Sequence, residues 1–368
     1  MTADSTKPGG ARSDEPGPLR LPMRPVADGG DGHRCRSVSR LLSRMRESAF
    51  QGRQLGQAFD VWQRMIDGGS LVCVGLAGSL SSAGMSPLIT WLVEGGYIDV
   101  LVSTSANVTE DLLEQRGARF YRIDPEHVDD ASLCRDGLYR FYDHVVRAAD
   151  YDRMEDFTGE FFKHLAGASP RPVVPGVQFM YEFGRWLDAR GLAGAIAATC
   201  YRQAVPLFVP AAPDGPLAEG YRTARQAEPV VDFFKDYDIA LGIMNRYMSP
   251  GPGTSAIFLG GGVPKDFIQI TATSVRALRG HAEPSPHIAA IQITTDNTVF
   301  GGLGGAGVGT ESISWGKEAP SGANVMVFAD LTIALPILCQ GLLEHYGPEH
   351  LRAARPGIAA DLRRLLEA

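Results

Sequence analysis

The sequence predicts an α/β fold, a parallel sheet with helices on both faces. Two observations predict it. From Ser70 onward, short apolar runs alternate with amphipathic stretches. Glycine-, serine- and hydroxyl-rich segments follow several of the apolar runs directly. Consecutive apolar positions mark strands buried on both sides, as in a parallel sheet between two helical layers. In such sheets ligands bind beyond the carboxyl ends of the strands, so residues just after strands are the candidates for chemistry.

The elements follow in order. Residues 1–35 are rich in Gly, Pro, Asp and Arg and read as a disordered or loosely docked arm. A helical arm follows from Ser37 to Gly68, where Leu41, Leu42, Met45, Phe50, Leu55, Phe59, Trp62 and Met65 keep a partly helical spacing. Leu71–Leu76 reads as a strand and Pro87–Glu94 as a helix. Ile98–Ser103 reads as the next strand, and Glu110–Glu114 opens another helix. Later strands are expected at Leu207–Val209, Ile239–Gly242, Ile257–Leu259, Ile288–Ile293 and Val325–Ala329, with helices between most of them. Residues 125–190 read as a helical insertion, for example Leu138–Val146 and Phe157–Leu165. Residues 36–368 are thus expected to form one domain.

Composition narrows the function. The formal net charge is −7, which argues against nucleic-acid binding because phosphate backbones need a concentrated basic surface. No apolar run reaches the roughly 18–20 residues that span a bilayer. The amino-terminal residues lack an apolar signal-peptide core, so a cytoplasmic location is expected. The five cysteines, Cys35, Cys73, Cys134, Cys200 and Cys339, are scattered without a CxxC pair. A disulfide framework or zinc cage is not expected. The histidines form no HExxH spacing, and no GxSxG marks a serine nucleophile.

Four segments carry candidate chemistry. Ser314-Trp315-Gly316-Lys317 lies between the glycine-rich tract Gly301–Gly309 and a strand. A lysine amine becomes a nucleophile when burial or a nearby cation lowers its pKa, and it can then form an imine. An indole beside it excludes water and attracts a cation through its ring face. A surface lysine next to a core tryptophan is the competing explanation. Residues 103–111 follow a strand with small and hydroxylated side chains, which lets backbone N–H groups approach a phosphate or ribose. Thr109 or Asn107 could instead cap a helix. Residues 75–84 also follow a strand but lack the GxGxxG spacing. Leu259 to Asp266 places three glycines after a strand, either for close approach of a ligand or for a tight turn. Asp214 and Glu219 follow the strand at Leu207–Val209 and, taken alone, also suit a solvated loop.

Together these segments resemble deoxyhypusine synthase, from about Ser48 to Leu343. The order is that family's: the loop Gly75–Gly84, then Thr104 onward with Val108-Thr109-Glu110-Asp111-Leu112, then Pro210–Glu219. Leu259-Gly260-Gly261-Gly262-Val263, Ser314-Trp315-Gly316-Lys317 and Val327-Phe328-Ala329-Asp330 complete the series. The resemblance implies a Rossmann-like domain and a homotetramer with sites at dimer interfaces. It implies that NAD takes a hydride from spermidine or a related polyamine, and that the aminobutyl imine moves to Lys317 and then to an acceptor amine. It also implies that Gly78, Ser79, Leu80, Ser81, Ser82, Thr104, Ser105, Ala106, Asp214, Gly261, Asp296, Asn297, Asp330 and Leu331 contact NAD. Glu110, Glu219, Asp266, Glu311 and Trp315 would contact the polyamine.

The chain departs from the eukaryotic pattern. Ala77, Gly78 and Ser79 replace Thr, Ser and Asn. Asp266 stands where a histidine lies beside the polyamine, and Glu219 replaces an aspartate. The tract from Gly301 to Ala306 lacks the aspartates and serines that bind the polyamine there. These changes, with an Ala-, Arg- and Gly-rich composition that suggests a bacterial chain, favour a small-amine acceptor such as putrescine, as in homospermidine synthases. A translation-factor lysine as acceptor and a catalytically silent NAD-binding homologue are the alternatives. A pyridoxal-phosphate enzyme would rest only on the lysine and the glycine loops.

Overall fold

A computed structural model describes residues 36–168, 173–224, 230–248, 250–280, 283–347 and 356–366. The arm expected at 1–35 lies outside the described residues.

Helices α1 (Val38–Met45) and α2 (Phe50–Asp67) lead into β1 (Leu71–Leu76), α3 (Ser86–Gly95), β2 (Val100–Ser103) and α4 (Ser105–Gln115). The chain then leaves the main sheet for β3 (Tyr121–Arg122), α5 (Asp130–Arg135), β4 (Leu138–Phe141), β5 (His144–Arg147), α6 (Ala148–Ala168), β6 (Val173–Pro175) and α7 (Gly176–Asp188). It returns through α8 (Ile196–Gln203) to β7 (Leu207–Phe208), then runs through α9 (Pro216–Ala224), β8 (Val230–Asp232) and α10 (Phe233–Tyr247). The last part is β9 (Thr254–Leu259), α11 (Gly262–Arg279), β10 (His287–Thr294), α12 (Glu311–Ser314), β11 (Glu318–Phe328), α13 (Leu331–Tyr346) and α14 (Pro356–Leu366).

The six-stranded sheet has the order β11-β10-β9-β1-β2-β7, and every pairing is parallel. The chain works outward from β1 to β7, returns to the centre at β9, and works outward again to β11. This is the doubly wound Rossmann order, with its switch point between β1 and β9. Alternation along the strands divides the apolar side chains between two cores. Val72, Val74, Leu76, Ile257, Leu259, Ile291 and Ile293 face α2, α3 and α13. Leu71, Cys73, Val100, Val102, Ala256, Phe258 and Ala290 face α10 and α11. The strands expected near 71–76, 98–103, 207–209, 257–259, 288–293 and 325–329 are all in this sheet, within three residues at each end except that the last begins seven residues earlier than expected, at Glu318.

Two expected elements are corrected. Ile239–Gly242 is not a strand but lies inside α10, where Ala240, Ile243, Met244 and Tyr247 are buried at helical spacing. Asp232 caps this helix by accepting the Phe234 and Lys235 N–H groups, both at 3.1 Å. A short apolar run gives no period of its own, and the longer helical pattern wins. Leu138–Val146 is not helical either. It is the antiparallel pair β4–β5, extended by β3 into a three-stranded sheet. Aromatic packing of Phe120, Phe141 and His144 holds it, and Tyr142 takes a left-handed turn conformation. Phe157–Leu165 is helical, within α6. The parallel pair β6–β8 had no signal in the sequence.

Two buried carboxylates tie helix starts to the fold. Asp111 on α4 accepts the Ile196 N–H at 2.6 Å, and Asp236 on α10 accepts the Val177 N–H at 2.7 Å. Burial pushes each carboxyl up to about 7, despite these hydrogen bonds, which lower it. A carboxyl raised in the folded state stabilises the fold most below its ordinary pKa. That contribution is lost as pH rises from about 4 through about 7. Asp111→Asn keeps an oxygen for the Ile196 N–H and should shrink this loss. Denaturation at about pH 5 and about pH 8 should give a smaller stability difference in the variant than in the native chain. An unchanged difference would show that Asp111 is not its source.

Candidate functional site

A cleft of about 430 Å³ opens at the carboxyl ends of β1, β9, β10 and β11. Residues 77–80, 260–262, 294–296 and 329–332 line it, so it sits at the switch point. A larger cavity of about 630 Å³ lies at the opposite ends of the strands, around Gly253 and Arg279, and holds none of the candidate residues. Position decides between the two, because loops diverge beyond the carboxyl ends of a doubly wound sheet.

Of the residues expected at a dinucleotide, Gly78, Ser79, Leu80, Gly261, Asp296, Asp330 and Leu331 line the cleft. Gly261 is the N-cap position of α11, and no side chain caps that helix. An uncapped helix start attracts anions such as phosphates through its free N–H groups. A Cβ at Gly261 would collide with Gly304, and one at Gly304 would collide with the Asp296 carboxylate. The loop after β9, the glycine tract and Asp296 therefore pack directly on one another beside the cleft. Across the cleft, Asp330 caps α13 by accepting from the Thr332 N–H at 2.8 Å and its hydroxyl at 2.5 Å. Asn297 caps the short turn Thr298–Phe300 just outside the cleft.

The loop after β1 and the start of α4 are stapled by Asn107. Its side chain accepts the Ser81 N–H at 3.1 Å and donates to the Gly78 carbonyl at 2.6 Å and to Thr104 Oγ1 at 2.9 Å. Its backbone carbonyl accepts the Ser81 hydroxyl at 2.7 Å. Ser81 and Ser82 are buried, and their hydroxyls are spent on Asn107 and Ser79. The N-cap of α4 is Thr104, not Asn107 or Thr109, and the helix begins at Ser105. The Ser105 hydroxyl is buried without a partner, beside Gly215. Ala106 adjoins the same contact, and Asp214 is exposed next to it.

Glu110 stands directly behind the cleft wall. It is buried, and it accepts from the Ser79 hydroxyl at 3.3 Å and the Tyr151 hydroxyl at 2.8 Å. Burial raises its carboxyl above the usual range, and those two hydrogen bonds pull it back. Tyr151 comes from α6 and went unnoticed in the sequence, because nothing local marks a tyrosine that reaches a distant carboxylate. Glu219, on α9, pairs instead with Arg222 at 2.7 Å on the outer side.

Lys317 forms a separate group. It follows α12, its N–H donates to the Ser312 carbonyl at 3.1 Å, and its own carbonyl accepts the His287 N–H at 3.0 Å. Its ammonium donates to Asp266 Oδ1 at 3.0 Å and lies 5.8 Å from the centre of the Trp315 ring. The lysine side chain is only 17% exposed, while Trp315 and Glu311 are open to solvent. Lys317 precedes the amino end of β11, whereas the cleft lies at the carboxyl ends. Within one chain, the first turns of α11 separate the lysine from the cleft.

The chain matches the family model for deoxyhypusine synthase over residues 40–342. It belongs to the deoxyhypusine synthase family. A "Probable deoxyhypusine synthase 2" of Archaeoglobus fulgidus is 35% identical over 300 residues, covering 81% of this chain and 96% of that one. A "Deoxyhypusine synthase-like protein" of Elusimicrobium minutum is 31% identical over 294 residues, covering 79% of this chain and 76% of the other. The crystal structure of a "putative deoxyhypusine synthase" from Entamoeba histolytica superposes with a TM-score of 0.53 at 14% identity, covering 84% of this chain and 94% of that one, and shows the shared fold. Deoxyhypusine synthase family members are transferases. No described helix of this member is long and apolar enough to cross a membrane.

The staple is testable. Asn107→Ala leaves the buried Ser81 N–H unpartnered and removes the bond to the exposed Gly78 carbonyl, and should cost about 1–3 kcal/mol of stability, the loss for one stranded buried group. Chemical denaturation measures it. A loss below about 0.5 kcal/mol would mean that the two loops hold together without Asn107.

Proposed function

We propose that this deoxyhypusine synthase family member transfers an aminobutyl group, with NAD, from spermidine or a related polyamine through an imine on Lys317 to a small amine such as putrescine. The observation that carries the reading is the setting of Lys317: a mostly buried amine bonded to Asp266 beside the face of Trp315. An amine must lose a proton before it attacks an imine carbon, and Asp266 Oδ1 at 3.0 Å is placed to receive it. The exposed Trp315 ring offers a cation its face.

The cleft fits a dinucleotide. Gly260, Gly261 and Gly262 put backbone at its wall, the start of α11 suits a phosphate, and Asp296 and Asp330 offer carboxylates to ribose hydroxyls. NAD held there would supply a reversible hydride acceptor for the donor amine, so that the net reaction would be a transfer. Glu110, held by Ser79 and Tyr151, is positioned to receive an ammonium of the polyamine beside the cleft. Lys317 and the cleft are apart in one chain, so the proposal includes a homotetramer in which a neighbouring subunit completes each site. Val299, Phe300, Phe328 and Ile333 are exposed around the carboxyl ends of β10 and β11, which suits a buried interface there. A protein lysine as acceptor is the second reading, favoured by the names of the archaeal relatives.

Mass spectrometry of amines after incubation with NAD, spermidine and putrescine tests the proposal. Homospermidine with 1,3-diaminopropane is expected. Diaminopropane alone would move the acceptor to a protein lysine, and neither product would refute the transfer. Lys317→Ala should lower the rate at least about a thousandfold with NAD affinity largely kept. Full turnover would sink the covalent role. Glu110→Gln should raise the polyamine KM by about tenfold or more, the worth of one hydrogen bond to a charged group, with less effect on NAD. An unchanged polyamine KM would reject the assignment.

A further inference from the structure

A buried polar pair joins the glycine loop of the cleft to the tract that leads to Lys317. Gln292 lies in the middle of β10, fully buried, on the same face as Ala290, which packs against Ile268 and Ala272 of α11. Its amide nitrogen donates to the Gly260 carbonyl at 3.0 Å and the Gly304 carbonyl at 2.8 Å. Its oxygen accepts from Lys265 Nζ at 2.9 Å.

Lys265, in the first turns of α11, is 1% exposed. Its ammonium also donates to the Ala306 carbonyl and reaches the Leu303 carbonyl at 3.4 Å. An ammonium has three N–H donors. All of them go to neutral oxygens, two of which belong to the glycine tract. Gly301 and Gly309, at the two ends of the tract, hold left-handed φ values of +70° and +72°. Glycine takes these conformations without steric cost, which lets the tract close over the ammonium. Burial lowers the Lys265 amine to about 8, so the charge is held by these carbonyls at a cost in desolvation. Glu318, Lys317, Glu311 and Asp266 all act on it electrostatically, which places it among the charges of the lysine group.

We propose that Gln292 and Lys265 are positioning residues that lock the tract 301–309, and with it the turn that presents Lys317, against the cleft loop at 260–262. The physical reason is stranding. Lifting the tract would strip the buried ammonium of its bonds to Leu303 and Ala306 and the buried amide of its bond to Gly304, leaving N–H donors of both unsatisfied, a larger loss than the few apolar contacts of a glycine-rich segment could offset. The effect on turnover rests on Lys317 being the reactive lysine, while the effect on the tract does not.

The test uses the full chain with Lys265→Met, which keeps the length but removes the donors, and Gln292→Glu. The second variant keeps the shape and the acceptor toward Lys265 but loses both donors to Gly260 and Gly304. Hydrogen exchange of residues 301–316 should quicken about tenfold or more in both, with β1 and β9 unchanged. The rate of acylation of Lys317 by a small reagent should change with it. If the native chain transfers an aminobutyl group, kcat should fall about a hundredfold, as expected for a misplaced reacting group, with the NAD KM far less affected. A uniform rise in exchange across the sheet would mean a merely structural pair and would overturn the proposal. So would tract protection unchanged in a folded variant. If Lys265→Met does not fold, Gln292→Glu decides alone. If the native chain transfers nothing, the reaction assigned to Lys317 falls, and the exchange measurement still decides the positioning role.

Discussion

The reversal of strand order between β1 and β9 is the constraint on which the rest of the molecule depends. The chain leaves β1 toward β7 and comes back to pair β9 on the other flank of β1. The two loops at this junction run to opposite sides, so they part and leave a crevice instead of packing on each other. Residues 77–80 and 260–262 are those loops, and the cleft lies between them. Apolar packing on both faces keeps the sheet rigid enough for the crevice to stay open.

Polar side chains then fix the loops relative to the sheet. Asn107 joins the loop after β1 to the start of α4, and Gln292 joins the loop after β9 to the glycine tract. Both are buried amides, which donate and accept at once and so can bridge two backbone segments. Such groups are costly when stranded, so each enforces one arrangement of its neighbours. Glu110 shows the same logic toward a ligand. Burial works against its charge, and the hydroxyls of Ser79 and Tyr151 offset part of that cost, as the proposed ammonium partner would offset more.

Lys317 illustrates how far a motif can be taken. Ser314 to Lys317 singles out the lysine proposed to carry the imine, and the structure supplies Asp266 and Trp315 as its neighbours. Its separation from the cleft within one chain follows from topology: the lysine precedes the amino end of β11, and the cleft lies beyond the carboxyl ends.

The sequence by itself determined the parallel sheet, most of its strands and the segments that line the cleft. Continuous apolar runs followed by small residues are local signals, and parallel strands depend on such runs. Ile239–Gly242 misled, because a short apolar run carries no period that separates strand from helix. Leu138–Val146 misled because its aromatic packing joins positions that the helical pattern does not connect. Only the tertiary structure decided that Thr104 caps α4, that Tyr151 reaches Glu110, that Glu219 faces Arg222, and that Lys265 is buried under the tract. Tyr151 and Lys265 depend on partners far along the chain, which neither composition nor spacing records, whereas Thr104 and Glu219 have local partners that the sequence offers among several competing ones.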